Sequence, residues 1–324
     1  MGGGPGYTLI YRTYPLNTRN DGITRAFIMV HGAGRDANNY FRHALAAAFL
    51  AGALENTIVI APRFASNEGG SCRDTLAANE INWSSCGADT WRSGSPAISN
   101  RSVTSFDVAD EILRKLSRKE IFPNLKSIVI GGHSAGGQYV NRYEMANQVH
   151  DKLGIPVSYV VANPSSYAYP DSLRPRMSAF PSDVAALPPG YIAPRPANPP
   201  PPFGRFGDSD DCTTYDDWPY GFRNRVGYTA KLTDDQLKKQ LASRPTTYLV
   251  GELDILPLYG FDGSCPAMAQ GPTRLARGLA YGKHVNDDYG AKHTTMVVAA
   301  CGHNARCMFT ADPVLVVIFP RREH

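Results

Sequence analysis

The passage that most restricts this chain is Ile128, Val129, Ile130, Gly131, Gly132, His133, Ser134, Ala135, Gly136, Gly137. A β-branched apolar run breaks there into Gly-x-Ser-x-Gly, and Gln138 to Gln148 follows with helical composition. A serine held in a tight strand-to-helix turn lifts its hydroxyl clear of the backbone. Gly132 and Gly136 leave the room for that turn, since a side chain at either would collide with the strand or helix crossing beside it. The five-residue pattern is weak by itself; a buried strand before it and a helix after it make it strong.

The rest of the chain supplies alternating elements. Tyr7 to Tyr14 and Thr24 to Val30 read as strands around the turn Asn20-Asp21-Gly22, and together predict an opening hairpin. Asn38 to Leu54 has helical spacing and Thr57 to Ala61 is a short buried strand. Residues 64–102 lose periodicity and read as an insertion. Val103 to Arg118 is an amphipathic helix with Phe106, Val108, Ile112, Leu113 and Leu116 inward. Beyond the serine come the strand Val157 to Ala162, a helix from Asp234 to Leu241, the strand Thr247 to Gly251, a helix around Thr273 to Tyr281 and the strand Thr294 to Ala299. Between them, 181–219 is crowded with proline, with Pro199 to Pro202 consecutive, and is either a surface excursion or a cap over the site. Strands alternating with helices predict an α/β fold: a mostly parallel central sheet covered on both faces. One domain over 1–324 with loop insertions at 64–102 and 181–219 accounts for the length.

A serine hydroxyl is a poor nucleophile until a base takes its proton, so Ser134 requires a histidine. Of the eight in the chain, His303 follows directly on the last strand, in a glycine-containing turn bounded by Cys301 and Cys307. His31 and His133 fall near the serine and read as packing or hydrogen-bonding residues. An imidazole base needs an orienting carboxylate. Thr247 to Gly251 runs into Glu252-Leu253-Asp254, at the carboxyl end of a strand where open α/β sheets place functional groups. Asp254 is the choice, with Glu252 and then Asp262 as competitors. Two backbone donors must meet the oxyanion of a tetrahedral intermediate. These are the amide of Ala135 and that of Ala33 in Ile28-Met29-Val30-His31-Gly32-Ala33-Gly34, with Gly34 the alternative to Ala33. No metal is expected, because Cys301-x-His303 with Cys307 lacks a fourth ligand at zinc spacing.

At these residues the chain resembles the α/β-hydrolase superfamily, in particular its serine esterase, lipase and depolymerase-like members. The resemblance rests on His31-Gly32, Gly132-His133-Ser134-Ala135-Gly136, Gly251-Glu252-Leu253-Asp254 and Gly302-His303. It implies a fold of about eight strands, a Ser134/Asp254/His303 triad in that chain order, and no cofactor. It does not imply a substrate. The expected reaction is hydrolysis of a carboxylic ester, small or polymeric, through an acyl-enzyme. Trp83, Trp91, Tyr167, Tyr169, Trp218, Tyr220 and Phe222 are candidates to line an aromatic or polyester acyl site, or to pack under long loops. An amidase or peptidase would use the same residues, and a non-catalytic binding protein on the same scaffold is the alternative of another class.

Thirty-three basic against 29 acidic residues give a net charge of +4 spread along the chain, which points to neither nucleic acid nor an anionic membrane as partner. Oligomeric state is not readable. The start lacks a signal-peptide pattern, so the chain is either cytoplasmic or has lost a leader. Cysteine usage favours secretion. Six cysteines without a Cys-x-x-Cys pair allow fifteen connectivities; local spacing suggests Cys72 with Cys86 and Cys301 with Cys307, which leaves Cys212 and Cys265. The sequons Asn82-Trp83-Ser84 and Asn100-Arg101-Ser102 fit a secreted glycoprotein.

Overall fold

A computed structural model describes residues 6–86, 90–175, 200–206, 212–258 and 260–320. Nine strands and eight α-helices follow one another among these residues. The chain order begins β1 (Ile10–Arg12), β2 (Arg25–Val30), α1 (Ala37–Leu50), β3 (Thr57–Pro62), α2 (Ser105–Leu116), β4 (Ser127–His133), α3 (Ala135–Ala146) and β5 (Val157–Ala162). The short strands β6 (Leu173–Pro175) and β7 (Phe203–Arg205) come next, then α4 (Asp234–Ser243), β8 (Thr246–Gly251), α5 (Cys265–Met268), α6 (Arg274–Tyr289), β9 (Thr294–Val298), α7 (Ala305–Thr310) and α8 (Asp312–Ile318).

Seven strands form one sheet in the order β1-β3-β2-β4-β5-β8-β9, parallel throughout except for β1. The opening hairpin does not form. β1 runs antiparallel to β3, whereas β2 is enclosed by β3 on one side and β4 on the other. Both edges of β2 are taken, which leaves the edge position beyond β3 for β1.

Each central strand sends alternate side chains to opposite faces, as the two-residue period of a strand dictates. Ala26, Ile28 and Val30 of β2 and Ile128 and Ile130 of β4 join the core under α2, α3, α4 and α6. Phe27 and Met29 of β2 and Val129 of β4 point the other way, into the core under α1, α7 and α8. Both faces being covered, the strands read as continuous apolar runs rather than as alternating ones. Helix α2 starts at a capping box in which the Thr104 side chain accepts from the Asp107 amide and Asp107 returns a bond to the Thr104 amide.

The insertion after β3 is irregular and is closed by a Cys72–Cys86 disulfide. Cys301–Cys307 clamps the turn after β9, and the two cysteines left over, Cys212 and Cys265, form the third disulfide. Three disulfides fit an oxidising, extracellular setting. Among the described residues no helix is long and apolar enough to cross a membrane. Part of the proline-rich stretch, 181–199 and 207–211, lies outside the described residues. Its described part packs onto the body: β7 pairs with β6, and buried Trp218 donates its indole N–H to the Ser93 carbonyl at 3.0 Å.

Candidate active site

Ser134 sits at the junction of β4 and α3 with φ 58° and ψ −119°. A positive φ is strained for any residue but glycine, and it persists here because the surroundings leave no alternative. A Cβ on Gly132 would overlap the Gly136 carbonyl, and one on Gly136 would overlap the Val30 carbonyl. Strand and helix therefore cross at backbone contact distance. The Ser134 amide donates to the Ala162 carbonyl of β5 at 3.0 Å, which fixes the turn against the neighbouring strand.

Ser134, His303 and Asp254 meet above the carboxyl ends of β4, β8 and β9. His303 Nε2 lies 3.0 Å from Ser134 Oγ and its Nδ1 lies 2.7 Å from Asp254 Oδ2. Asp254 is buried, and its second oxygen accepts from Arg274 Nη1 at 3.3 Å. Arg274 opens α6 and also donates Nε to Ser165 Oγ at 2.8 Å, while the Leu275 amide donates to the Asp254 carbonyl at 3.3 Å. A carboxylate held at both oxygens keeps one imidazole nitrogen protonated and the other free to accept the serine proton.

The competing carboxylates are occupied elsewhere. Glu252 accepts from the Ala300 amide at 2.9 Å, and Asp262 accepts from the Tyr220 hydroxyl at 2.8 Å. Asn163, at the end of β5 with φ 43°, joins the two loops that carry the site. Its Oδ1 accepts from the Gly251 amide at 2.7 Å and its Nδ2 donates to the Gly302 carbonyl at 3.2 Å.

His31 is buried, and the Phe64 amide donates to its Nε2 at 3.0 Å. The proton therefore rests on Nδ1, which donates to the Gly32 carbonyl at 2.8 Å. Burial pushes this imidazole down to about 4, so it stays neutral. The carbonyl it holds belongs to the peptide unit that carries the Ala33 N–H. Because a trans peptide directs C=O and N–H oppositely, fixing one aims the other. The Arg35 amide donates to the same carbonyl at 3.1 Å. Ala135 is the first residue of α3, where amides have no intrahelical acceptor.

A cavity of about 880 Å³ opens beside Ser134 and His303, lined by Gly32 to Asp36, Tyr40, His43, Ser71, His133, Gly260 and Asn304 to Arg306. This wall is polar. None of the aromatic candidates belongs to it: Trp83, Trp91, Tyr167 and Tyr169 are fully buried, and Trp218 and Phe222 nearly so. Phe64 stacks on Trp91 and Tyr167 on Tyr281, so burial accounts for these rings, while Tyr220 is half-buried and gives its hydroxyl to Asp262. His133 is buried beside His303, with ring centroids 4.6 Å apart, and burial, then His303, hold it well below its usual range.

Arg274, Asn163 and Tyr40 escape a reading of the sequence. Arg274 belongs to an ordinary helix start and Asn163 to a strand end, and only their contacts across 20 and 88 residues show what they hold.

The model of the alpha/beta hydrolase family matches residues 27–318, and the chain belongs to that family of hydrolases. Among solved structures, the fold is similar to that of a poly(3-hydroxybutyrate) depolymerase from Bordetella parapertussis. The TM-score is 0.61 at 20% identity, over 98% of this chain and 87% of that one. It is also similar to a poly(aspartic acid) hydrolase from a Sphingomonas strain, with a TM-score of 0.57 at 20% identity over 95% of this chain and 93% of that one. A sequence search finds no match among curated proteins.

Proposed function

We propose that the protein is a serine hydrolase that cleaves a carboxylic ester through an acyl-enzyme. The observation that carries this reading is the unbroken relay from Ser134 Oγ through His303 to Asp254, with 3.0 and 2.7 Å links. His303 takes the Ser134 proton as the hydroxyl oxygen attacks the ester carbonyl, then returns it to the departing alkoxide. The Ala33 and Ala135 amides receive the oxyanion. Water, deprotonated by the same imidazole, releases the acid and restores Ser134. Asp254 orients His303, and Arg274 holds Asp254.

A hydroxy-acid oligomer is the polymeric substrate to test first, given the depolymerase of similar fold. A fluorophosphonate probe should label the wild type and fail on Ser134→Ala; an intact wild type that never labels would overturn the reading. Matched p-nitrophenyl ester and anilide substrates separate esterase from amidase, and faster turnover of the anilide would replace the ester by an amide.

A further inference from the structure

Next to this site the chain gathers more buried positive charge than its carboxylates neutralise. Arg142 of α3 donates to the Pro219 carbonyl at 3.1 Å, to the Arg92 carbonyl at 3.4 Å and to Ser166 Oγ at 3.1 Å. Arg277 donates Nε to the Gly271 carbonyl at 2.8 Å and Nη1 to the Ser165 carbonyl, with its guanidinium 4.4 Å from the Phe261 ring centre. Arg274 is fully buried and paired with Asp254. Arg92 donates Nε to Thr90 Oγ1 at 2.9 Å. Among the described residues, no carboxylate comes within ion-pair distance of Arg92, Arg142 or Arg277.

All four guanidiniums are within electrostatic reach of one further acid, Asp262, which is itself bonded by Tyr220. Asp254 is shared with His303. Four cations thus depend on two carboxylates, one of them already engaged in the relay. The strain is visible in their acidity: burial first, then Arg92, brings Arg142 down to about 9, and burial brings Arg277 down to about 10. Surplus charge in a poorly solvated place is costly until an anion arrives.

The four arginines lie behind the residues that line the cavity at Ser134 and are linked to them through Ser165. Ser165, which Arg274 and Arg277 both hold, donates its hydroxyl to the Gly260 carbonyl at 3.4 Å, and Gly260 lines the cavity. Trp91, the neighbour of Arg92, packs against His31 with ring centroids 4.7 Å apart. Arg92 is half-buried, and among the described residues its two terminal nitrogens have no hydrogen-bond acceptor. A forked guanidinium with both tips unused is suited to a carboxylate.

We propose that Arg92, backed by Arg142, Arg274 and Arg277, forms an anion subsite that takes a carboxylate carried by the ester substrate. The proposal refines the esterase reading by naming a substrate class, esters of dicarboxylic or carboxylate-terminated acids, and rests on that reading for its kinetic test.

Two measurements test it. In the first, glutarate is titrated calorimetrically into the Ser134→Ala protein, where no turnover intervenes. Saturable binding is expected, weakened at least tenfold by adding Arg92→Gln and less by adding Arg92→Lys. Absence of binding, or binding indifferent to Arg92→Gln in a protein that melts normally, overturns the subsite whether or not the protein is an esterase. In the second, mono-p-nitrophenyl glutarate is compared with its methyl ester. The wild type should favour the acid at least tenfold in kcat/KM, with the ratio falling toward one in Arg92→Gln. Hydrolysis of both esters at equal rates by the wild type overturns the subsite while leaving the esterase reading standing. Glutarate binding without hydrolysis of either ester, together with no fluorophosphonate labelling, overturns the esterase reading alone.

Discussion

The two faces of the sheet beneath Ser134 are built from different materials. Under α2, α3 and α6 lies an aromatic layer in which Trp83, Trp91, Tyr139, Tyr143, Tyr159 and Tyr167 are all buried. Under α1, α7 and α8 tryptophan is absent and alanines such as Ala44, Ala47, Ala48 and Ala305 alternate with fewer rings, Phe27, Tyr40, Phe309 and Phe319 among them. The cavity opens over the second face, beside the starts of α1 and α7, where small residues and polar tips leave space. Bulky rings fill volume and anchor the long insertion; at the rim, Gly32, Ala33, Gly34 and Ala305 leave the cavity open. The size of a side chain near the site is therefore a poor guide to whether it meets the ligand.

The difference predicts that changes at the rim alter rate and changes in the aromatic layer alter stability. The largest expected effect is that of Ser134→Ala, which should lower kcat by about 10⁴–10⁶-fold on any ester while leaving the melting temperature near wild type. Burst kinetics and calorimetry check the two halves. Trp83→Ala should do the reverse, removing about 3–5 kcal/mol of stability in denaturant titration. Its ratio of kcat/KM for benzoyl and acetyl esters should stay as it was; a changed ratio would put the aromatic layer back in the substrate's path.

Arg274→Gln straddles the boundary. Freed at one oxygen, Asp254 would hold His303 less firmly, and kcat on the folded fraction should fall by up to about 10²-fold. Arg274→Lys should recover part of it, an outcome that a purely architectural arginine would not give.

The smallest effect concerns Glu144, wholly buried on α3 beside Asn141, Tyr248 and Arg244. Burial raises its carboxyl from 4.5 to about 8. In the unfolded chain it ionises at the lower value, so folding costs progressively more as pH climbs between the two. Stability from this group is intact below about 4.5 and is lost through about 8. Glu144→Gln should raise the melting temperature by roughly 2–4 °C at pH 8 per kcal/mol recovered, and by nothing at pH 4.

Much of this arrangement is legible in the sequence. The β4–α3 junction is readable because strand, glycines and helix follow one another without a gap, and β5 occupies the residues its β-branched run marks. Apolar runs likewise mark β2, β3 and β8, since burial on both faces leaves no room for alternation. Failures arise where long-range pairing decides. Nothing local shows that β1 would seek β3 instead of β2. The sequence prefers Asp254 to Glu252 and Asp262, and what separates it from carboxylates that near is its 2.7 Å contact with His303. Aromatics in irregular segments mislead because a loop closed by a disulfide, as between Cys72 and Cys86, can bury its rings as fully as a helix does.

The separation of 169 residues between Ser134 and His303 has a temporal consequence. Half of the relay is carried by β4, in the middle of the sheet, and half follows β9, the edge strand made last. On the proposed esterase reading, a growing or refolding chain has no working site until that final strand has docked, since closure over such distances is slow compared with local structure. Reactivity of Ser134 is thus a clock for completion. Followed by fluorophosphonate labelling after dilution from denaturant, its return should lag the recovery of helical signal, and the lag measures how long β9 takes to find its edge.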